Sequence, residues 1–276
     1  MWTDLERPPL DTDAIRAALV APAGDWAELD VVESTGSTNA DLLAAARVGA
    51  ADRSVLIAEH QAAARGRYAR AWSSPARAGL SLSVLFRVLG VGPSQLGWVP
   101  LLTGVAVVDA VRRVAQCDVT LKWPNDVMVG DRKLGGILAE VAATDPEPVV
   151  VVGLGLNVSL RTEELPVPTA TSLALESAAC TDRDPILRAV LRDLAAWEIA
   201  WRRVGGDPVR SGLAEAYRAR CSTLDQDVVV TLPQERTLVG HAKDIDETGR
   251  LVVCDKGGTH HAVAAGDVTH VRAAPR

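Results

Sequence analysis

The chain has 276 residues, 48% hydrophobic and 23% charged, which excludes a disordered polypeptide and suits one large domain with a small companion. Its formal net charge of −6 argues against bulk nucleic-acid binding, which needs a basic face, but leaves room for a local basic pocket. Four scattered cysteines, Cys117, Cys180, Cys221 and Cys254, form no C-x-x-C pair and have no histidine at metal spacing, so reduced buried thiols are expected rather than disulfides or zinc.

Residues 1–10 are Pro-rich and polar, and are expected to be poorly ordered. Asp4 and Glu6, with no basic stretch leading into an apolar one, do not read as a signal peptide. A helix is expected over 13–20, capped by Thr12, and a short strand over 30–33. A turn at 34–38 leads into a helix over 39–48, with Thr38 as cap, Leu42, Leu43 and Ala46 on one face, and Gly49 as stop. A strand over 54–61 is followed by a loop over 62–74 that carries three arginines. Alternation of Leu80, Leu82, Val84 and Phe86 predicts a strand over 80–88.

The stripe Leu101, Val105, Val108 and Val111 predicts a helix over 101–115. Strands are expected over 119–123, 127–129, 136–141 and 149–158. The run 149–156 is the most apolar, but Gly153 and Gly155 break it and it is too short to span a bilayer, so a cytoplasmic location is the default. A Pro-rich loop covers 161–171. A long helix begins near Pro185, with Ile186, Val190, Leu194, Trp197 and Trp201 on one stripe. After Tyr217 come short strands over 227–232, 237–246, 250–254 and 261–263, with turns at 247–249 and 256–258, which reads as a small barrel. The division expected is a partly flexible segment 1–29, a catalytic α/β domain 30–220 and a β domain 221–276.

Four segments carry chemistry. Ser37, Thr38 and Asn39 enter a helix; a cap explains one hydroxyl, and together they could line a polar recess for a neutral ligand. Gln61 is followed by a loop with Arg65, Gly66, Arg67, Arg70 and Trp72, which is either a solvated charged face or an anion clamp, since arginine offers a fork of donors. Lys122-Trp123-Pro124-Asn125-Asp126 ends a strand; it is either a common turn or a carboxylate for a hard cation such as Mg²⁺. Arg132-Lys133-Leu134-Gly135-Gly136, between two strands, is either a hairpin tip or an ammonium placed on a phosphate oxygen. Together they suit a nucleoside triphosphate, without the G-x-x-x-x-G-K-[ST] or G-x-G-x-x-G loops.

The order S-T-N, Q-x-x-x-R-G-R, K-W-P-N-D, R-K-L-x-G-I-L-x-E and G-x-G-x-N-V, at 37–39, 61–67, 122–126, 132–140 and 153–158, resembles the biotin protein ligases over about residues 30–270. The resemblance implies an α+β fold: a mixed β-sheet with flanking helices (class II aminoacyl-tRNA synthetase/biotinyl-lipoyl protein ligase-like) plus a C-terminal SH3-like β-barrel. It implies ATP-dependent formation of biotinoyl-5′-AMP, with Mg²⁺, and transfer of biotin to a lysine of a biotin carboxyl carrier protein or domain of acyl-CoA carboxylases. Nucleic acid is not an expected partner, because too little chain precedes Asp30 for the winged helix of some relatives, and no membrane partner is expected because the most apolar run is too short to span a bilayer.

By family position, Ser37, Thr38, Asn39, Gln61, Arg65, Gly66, Arg67, Lys133, Gly135 and Gly136 would bind biotin. Arg65, Arg67, Arg70, Trp72, Asn125, Lys133 and Asn157 would face the nucleotide, and residues 161–171 would surround adenine. Lys133, Arg67 and Asp126 are the catalytic candidates, with Asp126 also the candidate for Mg²⁺. Ala64 and Ala69 replace two loop glycines of the family, a strain if either position needs positive φ. Alternatives are a lipoate or octanoate ligase or transferase on the same scaffold, or a non-catalytic biotin-binding regulator.

Overall fold

A computed structural model of the chain describes residues 7–142, 148–232, 236–264 and 266–270. A seven-stranded sheet runs in the order β1-β2-β3-β7-β6-β5-β4. Its strands are β1 (Glu28–Val32), β2 (Ser54–Ala58), β3 (Gly79–Arg87), β4 (Thr120–Lys122), β5 (Asp126–Val129), β6 (Arg132–Ala142) and β7 (Val149–Asn157). The β1–β2 pair is parallel and the other pairs are antiparallel, giving the mixed sheet expected.

One face of this sheet is filled. Leu80, Leu82, Val84 and Phe86 from β3, with Leu154 and Leu156 from β7, pack under α3 (Trp98–Ala115) and α4 (Arg183–Arg203). Helix α3 is apolar on nearly all sides, and a helix of that kind belongs in a core. The stretch Pro93–Ala115 is long and apolar enough to cross a membrane, with mean hydropathy 1.3, but 67% of its most apolar window is buried inside the molecule. The expected stripe of α4 is buried except for Trp197, which is partly covered.

The opposite face is only partly covered. Helix α2 (Thr38–Arg47) lays Leu42 and Ala46 on Leu85, Val149 and Val151. Beyond α2 the sheet stays bare, and this bare part becomes the candidate site.

The second sheet is five-stranded and antiparallel, in the order β11-β10-β9-β8-β12, and is the small barrel-like unit expected. It comprises β8 (Asp227–Thr231), β9 (Thr237–Ile245), β10 (Leu251–Asp255), β11 (His260–Val263) and β12 (Asp267–His270). Its 247–249 turn docks on the larger layer. The indole N–H groups of Trp98 and Trp123 donate to the carbonyls of Glu247 (2.9 Å) and Gly249 (3.2 Å). Gly249 has φ +84°, and a Cβ there would sit 3.0 Å from the Gly97 carbonyl oxygen, so the turn needs glycine.

Several expectations are corrected. Asp11, not Thr12, caps α1 (Thr12–Leu19), its Oδ1 accepting from the Ala14 N–H. Ser37, not Thr38, caps α2. Helix α5 (Leu213–Arg218) and strand β12 were not anticipated: α5 is short, and the 267–270 segment shows little apolar pattern. Residues 7–10 are held firmly. Arg7 and Leu10 are buried, and the Leu10 N–H donates to Glu59 Oε1 at 2.7 Å. Residues 1–6 lie outside the described residues. All four cysteines are free, but only Cys117 and Cys221 are buried, where burial pushes their thiols above the usual range.

Candidate active site

The bare part of the sheet is bare because of glycine. Register places Gly136 of β6 opposite Gly155 of β7, and Leu138 opposite Gly153. A Cβ on Gly155 would lie 2.5 Å from the Trp72 ring, and one on Gly153 would lie 2.3 Å from Asn39 Oδ1. The glycines therefore let two side chains from other elements lie flat on the strands. They form the floor of a cavity of about 360 Å³.

One end of the cavity is polar and neutral. The first turn of α2 places Thr38 and Asn39 over β3 and β6, both buried. Gln61 Oε1 accepts from the Thr38 N–H (2.8 Å) and from its hydroxyl (3.1 Å). Ser83 lies 2.7 Å from the Thr38 hydroxyl and donates to Asn39 Oδ1 at 2.6 Å. Asn39 Nδ2 donates to Glu140 at 2.8 Å and to the Leu138 carbonyl at 3.2 Å. The result is a pre-set chain of hydroxyls and amides beside apolar surface from Leu138.

The other end is charged. Lys133 Nζ lies 2.6 Å from Asp126 Oδ1 and 6.0 Å from the centre of the Trp72 ring. Strict alternation along β6 would turn Lys133 away from Gly136, three residues on. A register shift between Val127 and Met128 changes this. The extra residue sends Leu134 into the core and leaves Lys133 on the same face as Gly136, its Nζ 3.4 Å from where a Cβ would be. Of the two readings of this segment the hairpin tip is set aside, since Lys133 is in a strand and the turn is at Gly130, with φ +54°. Its N–H donates to the Thr169 carbonyl and its carbonyl accepts from the Thr171 N–H, both at 2.8 Å. Nearby, Asn125 Nδ2 donates to the Ile137 carbonyl and Asn157 Nδ2 to the Thr171 carbonyl, both at 2.9 Å.

The arginine loop forms the lid side. The Arg65–Ala71 bridge closes its base, and a short 3₁₀ turn (Arg67–Ala69) forms its tip. Tyr68, at φ 54°, takes a positive φ in this loop, whereas Ala64 does not, so that alanine is not strained. Arg67 Nη1 donates to the Gly266 carbonyl at 3.3 Å, and Arg70 pairs with Asp267, so the small sheet holds the lid.

Ser37, Thr38, Asn39, Gln61, Arg65, Gly66, Arg67, Arg70, Trp72, Asn125, Asp126, Lys133, Gly136 and Asn157 all line this one cavity. Gly135 does not. Its Cβ position points into the sheet, 2.8 Å from the Gly155 carbonyl oxygen, so its glycine serves the close approach of β6 and β7.

The Biotin/lipoate A/B protein ligase family matches residues 31–157, and the Biotin protein ligase C terminal domain matches residues 223–271. The chain is 48% identical over 273 residues to the Biotin--[acetyl-CoA-carboxylase] ligase of Mycobacterium tuberculosis, covering 98% of each. The chain belongs to the biotin protein ligase family. It is also 31% identical over 253 residues to the Bifunctional ligase/repressor BirA of Salmonella typhimurium, across 90% of this chain and 74% of that one. The solved biotin protein ligase of Aquifex aeolicus in complex with biotin and ATP shares the fold, with TM-score 0.73 at 24% identity, across 90% of this chain and 100% of that chain.

Sequence reasoning missed the cavity residues Ser83 and Asp267, whereas Gly153 and Leu154 stood in the G-x-G-x-N-V motif and Pro166 and Val167 in the 161–171 segment expected around adenine. The alternation of the glycines with Leu154 and Leu156 was a usable signal; Ser83 and Asp267 gave none. The expected magnesium ligand, Asp126, faces the cavity. Among the described residues no group of three or more His, Cys, Asp or Glu side chains could hold a metal ion. The two cavity carboxylates, Asp126 and Asp267, are paired with Lys133 and Arg70.

Proposed function

We propose that this cavity is where an ATP-dependent biotin protein ligase makes biotinoyl-5′-AMP and passes biotin to one lysine of a biotin carboxyl carrier protein or domain of an acyl-CoA carboxylase. The observation that carries the reading is the joining, in one cavity, of a neutral hydrogen-bonding recess to a cationic end. A ring system with a neutral polar edge suits the Thr38–Ser83–Asn39 recess, and a carboxylate tail then points towards Lys133. The cytoplasm is the compartment proposed, with neither nucleic acid nor membrane as partner.

In the first half-reaction a carboxylate oxygen of biotin bonds to the α-phosphorus of ATP, and the bond to pyrophosphate breaks. Two anions must meet, and a fixed ammonium in a partly enclosed site lowers their repulsion. Lys133 supplies that charge, with Arg65 and Arg67 from the lid as further cations. Trp72 and Asn157 flank the nucleotide, and Pro166 and Val167 form its apolar wall. In the second half-reaction the neutral amine of the acceptor lysine attacks the acyl carbon, and AMP leaves with the electrons of the broken bond. Asp126 is placed to orient that amine and take its proton. Magnesium enters as part of the nucleotide substrate and not as a resident ion.

The test is ATP–pyrophosphate exchange with biotin or lipoate, followed by transfer of labelled biotin to a carrier domain. Exchange with biotin alone and labelling of one carrier lysine is the expected result. Exchange with lipoate instead, or biotin binding without exchange, overturns the proposal.

A further inference from the structure

We infer that the segment Arg7–Leu10 is a positioning element for the nucleotide-side wall of the cavity, with Arg7 as the residue through which it acts. The inference rests on the ligase reading above.

The wall belongs to the 161–171 loop, which supplies Pro166, Val167 and Ala170 to the cavity. One end of this loop is fastened to the backbone of Lys133 through Thr169 and Thr171. The other end carries the 3₁₀ turn Thr162–Glu164. There Arg7 grips both oxygens of Glu164, Nη2 to Oε2 at 2.7 Å and Nη1 to Oε1 at 3.3 Å. The same Nη2 donates to the Ser159 carbonyl at 2.8 Å, just past β7. Arg7 is buried and Glu164 largely covered, with side-chain exposures of 5% and 11%. The loop tip gains little from apolar packing, since Val167 is 49% exposed.

Arg7 is itself anchored at a distance from the cavity. The Pro8 carbonyl accepts from Arg183 at the start of α4 at 2.6 Å, and Leu10 donates to Glu59 at the end of β2. Arg183 also pairs with Glu59, so the segment is tied to the frame of the large sheet. A buried ion pair is weak evidence for stability, because desolvation offsets its attraction. Its fork-to-carboxylate geometry does fix position. Arg7 thereby keeps the wall standing before the nucleotide arrives, and without it the nucleotide must bear the cost of ordering the loop.

The test uses full-length Arg7→Met and Arg7→Lys in biotin-dependent pyrophosphate exchange, varying ATP at saturating biotin and then the reverse. In Arg7→Met the KM for ATP should rise roughly tenfold, as expected if the competent wall is populated about one-tenth of the time. The KM for biotin and kcat should stay within about twofold, since neither depends on the wall. Arg7→Lys should recover part of the loss. An unchanged KM for ATP in Arg7→Met overturns the inference, as do equal rises for ATP and biotin that follow a fall in Tm. Should Arg7→Met not fold, Arg7→Lys decides by the same split between the two KM values. Absence of exchange in the unaltered protein instead defeats the ligase reading.

Discussion

Strands β6 and β7 present two faces made from alternate residues of the same segments. Towards α3, Ile137, Leu154 and Leu156 are buried among large apolar neighbours. Away from it, Gly136, Gly153 and Gly155 carry nothing, and Trp72, Asn39 and Lys133 occupy the space instead. One face is filled to stabilise the fold and the other is emptied to admit a ligand, within a single pleat. Stability and activity should therefore separate residue by residue along these strands.

The largest effect is expected at Lys133. Lys133→Ala should lower pyrophosphate exchange about 10²–10³-fold, the range seen when one preorganised charge-stabilising group is lost. Its Tm should stay close to that of the unaltered protein, because Lys133 is partly exposed and outside the apolar core. Near-normal exchange would remove it from the chemistry. On the filled face, Leu156→Ala should cost about 2–5 kcal/mol in denaturant unfolding, as for other buried leucines. Activity per folded molecule should be retained, and loss of activity at full stability would break the division of labour between the faces.

Gly153→Ala sharpens the comparison from the bare side. The new methyl would displace Asn39 and its partner Ser83, so the KM for biotin should rise by about tenfold, with a stability loss of about 1–3 kcal/mol from the disturbed buried hydrogen bonds. A large loss of stability with unchanged KM would assign Gly153 to packing. The smallest effect concerns the wall. Burial raises the Glu164 carboxyl, but the hydrogen bonds and charges of Arg7 and the Arg161 N–H outweigh it and leave the group below its ordinary value. Its contribution is therefore present above the usual carboxylate range and lost as pH falls through the lowered value. Urea unfolding of Glu164→Gln and of the unaltered protein should differ near neutral pH and converge in acid. A difference that grows in acid would contradict the assignment.

Much of this was legible in the sequence. The alternation in β3 and the apolar stripes of α3 and α4 gave their elements to within a few residues, because burial on one face writes a period into the chain. The motifs gathered most of the cavity residues. What stayed hidden depends on contacts distant in sequence. The register shift that turns Lys133 to the cavity and Gly135 away from it is set by pairing with β5. The attachment of Arg7 to Glu164 spans the length of the large domain, and nothing near a Pro-rich terminus announces it. The expectation of strain at Ala64 treated a loop glycine of the family as a conformational need, whereas Tyr68 bears a positive φ.

The central claim, that the bare half of the large sheet is where biotin and ATP meet, is tested most directly by a crystal structure of the protein soaked with biotin and a non-hydrolysable ATP analogue. The account predicts biotin over Gly153 beside Thr38 and Asn39, with its carboxylate and the α-phosphate both within hydrogen-bond reach of Lys133. Either ligand found outside that cavity, with Lys133 still bound to Asp126 alone, would contradict it.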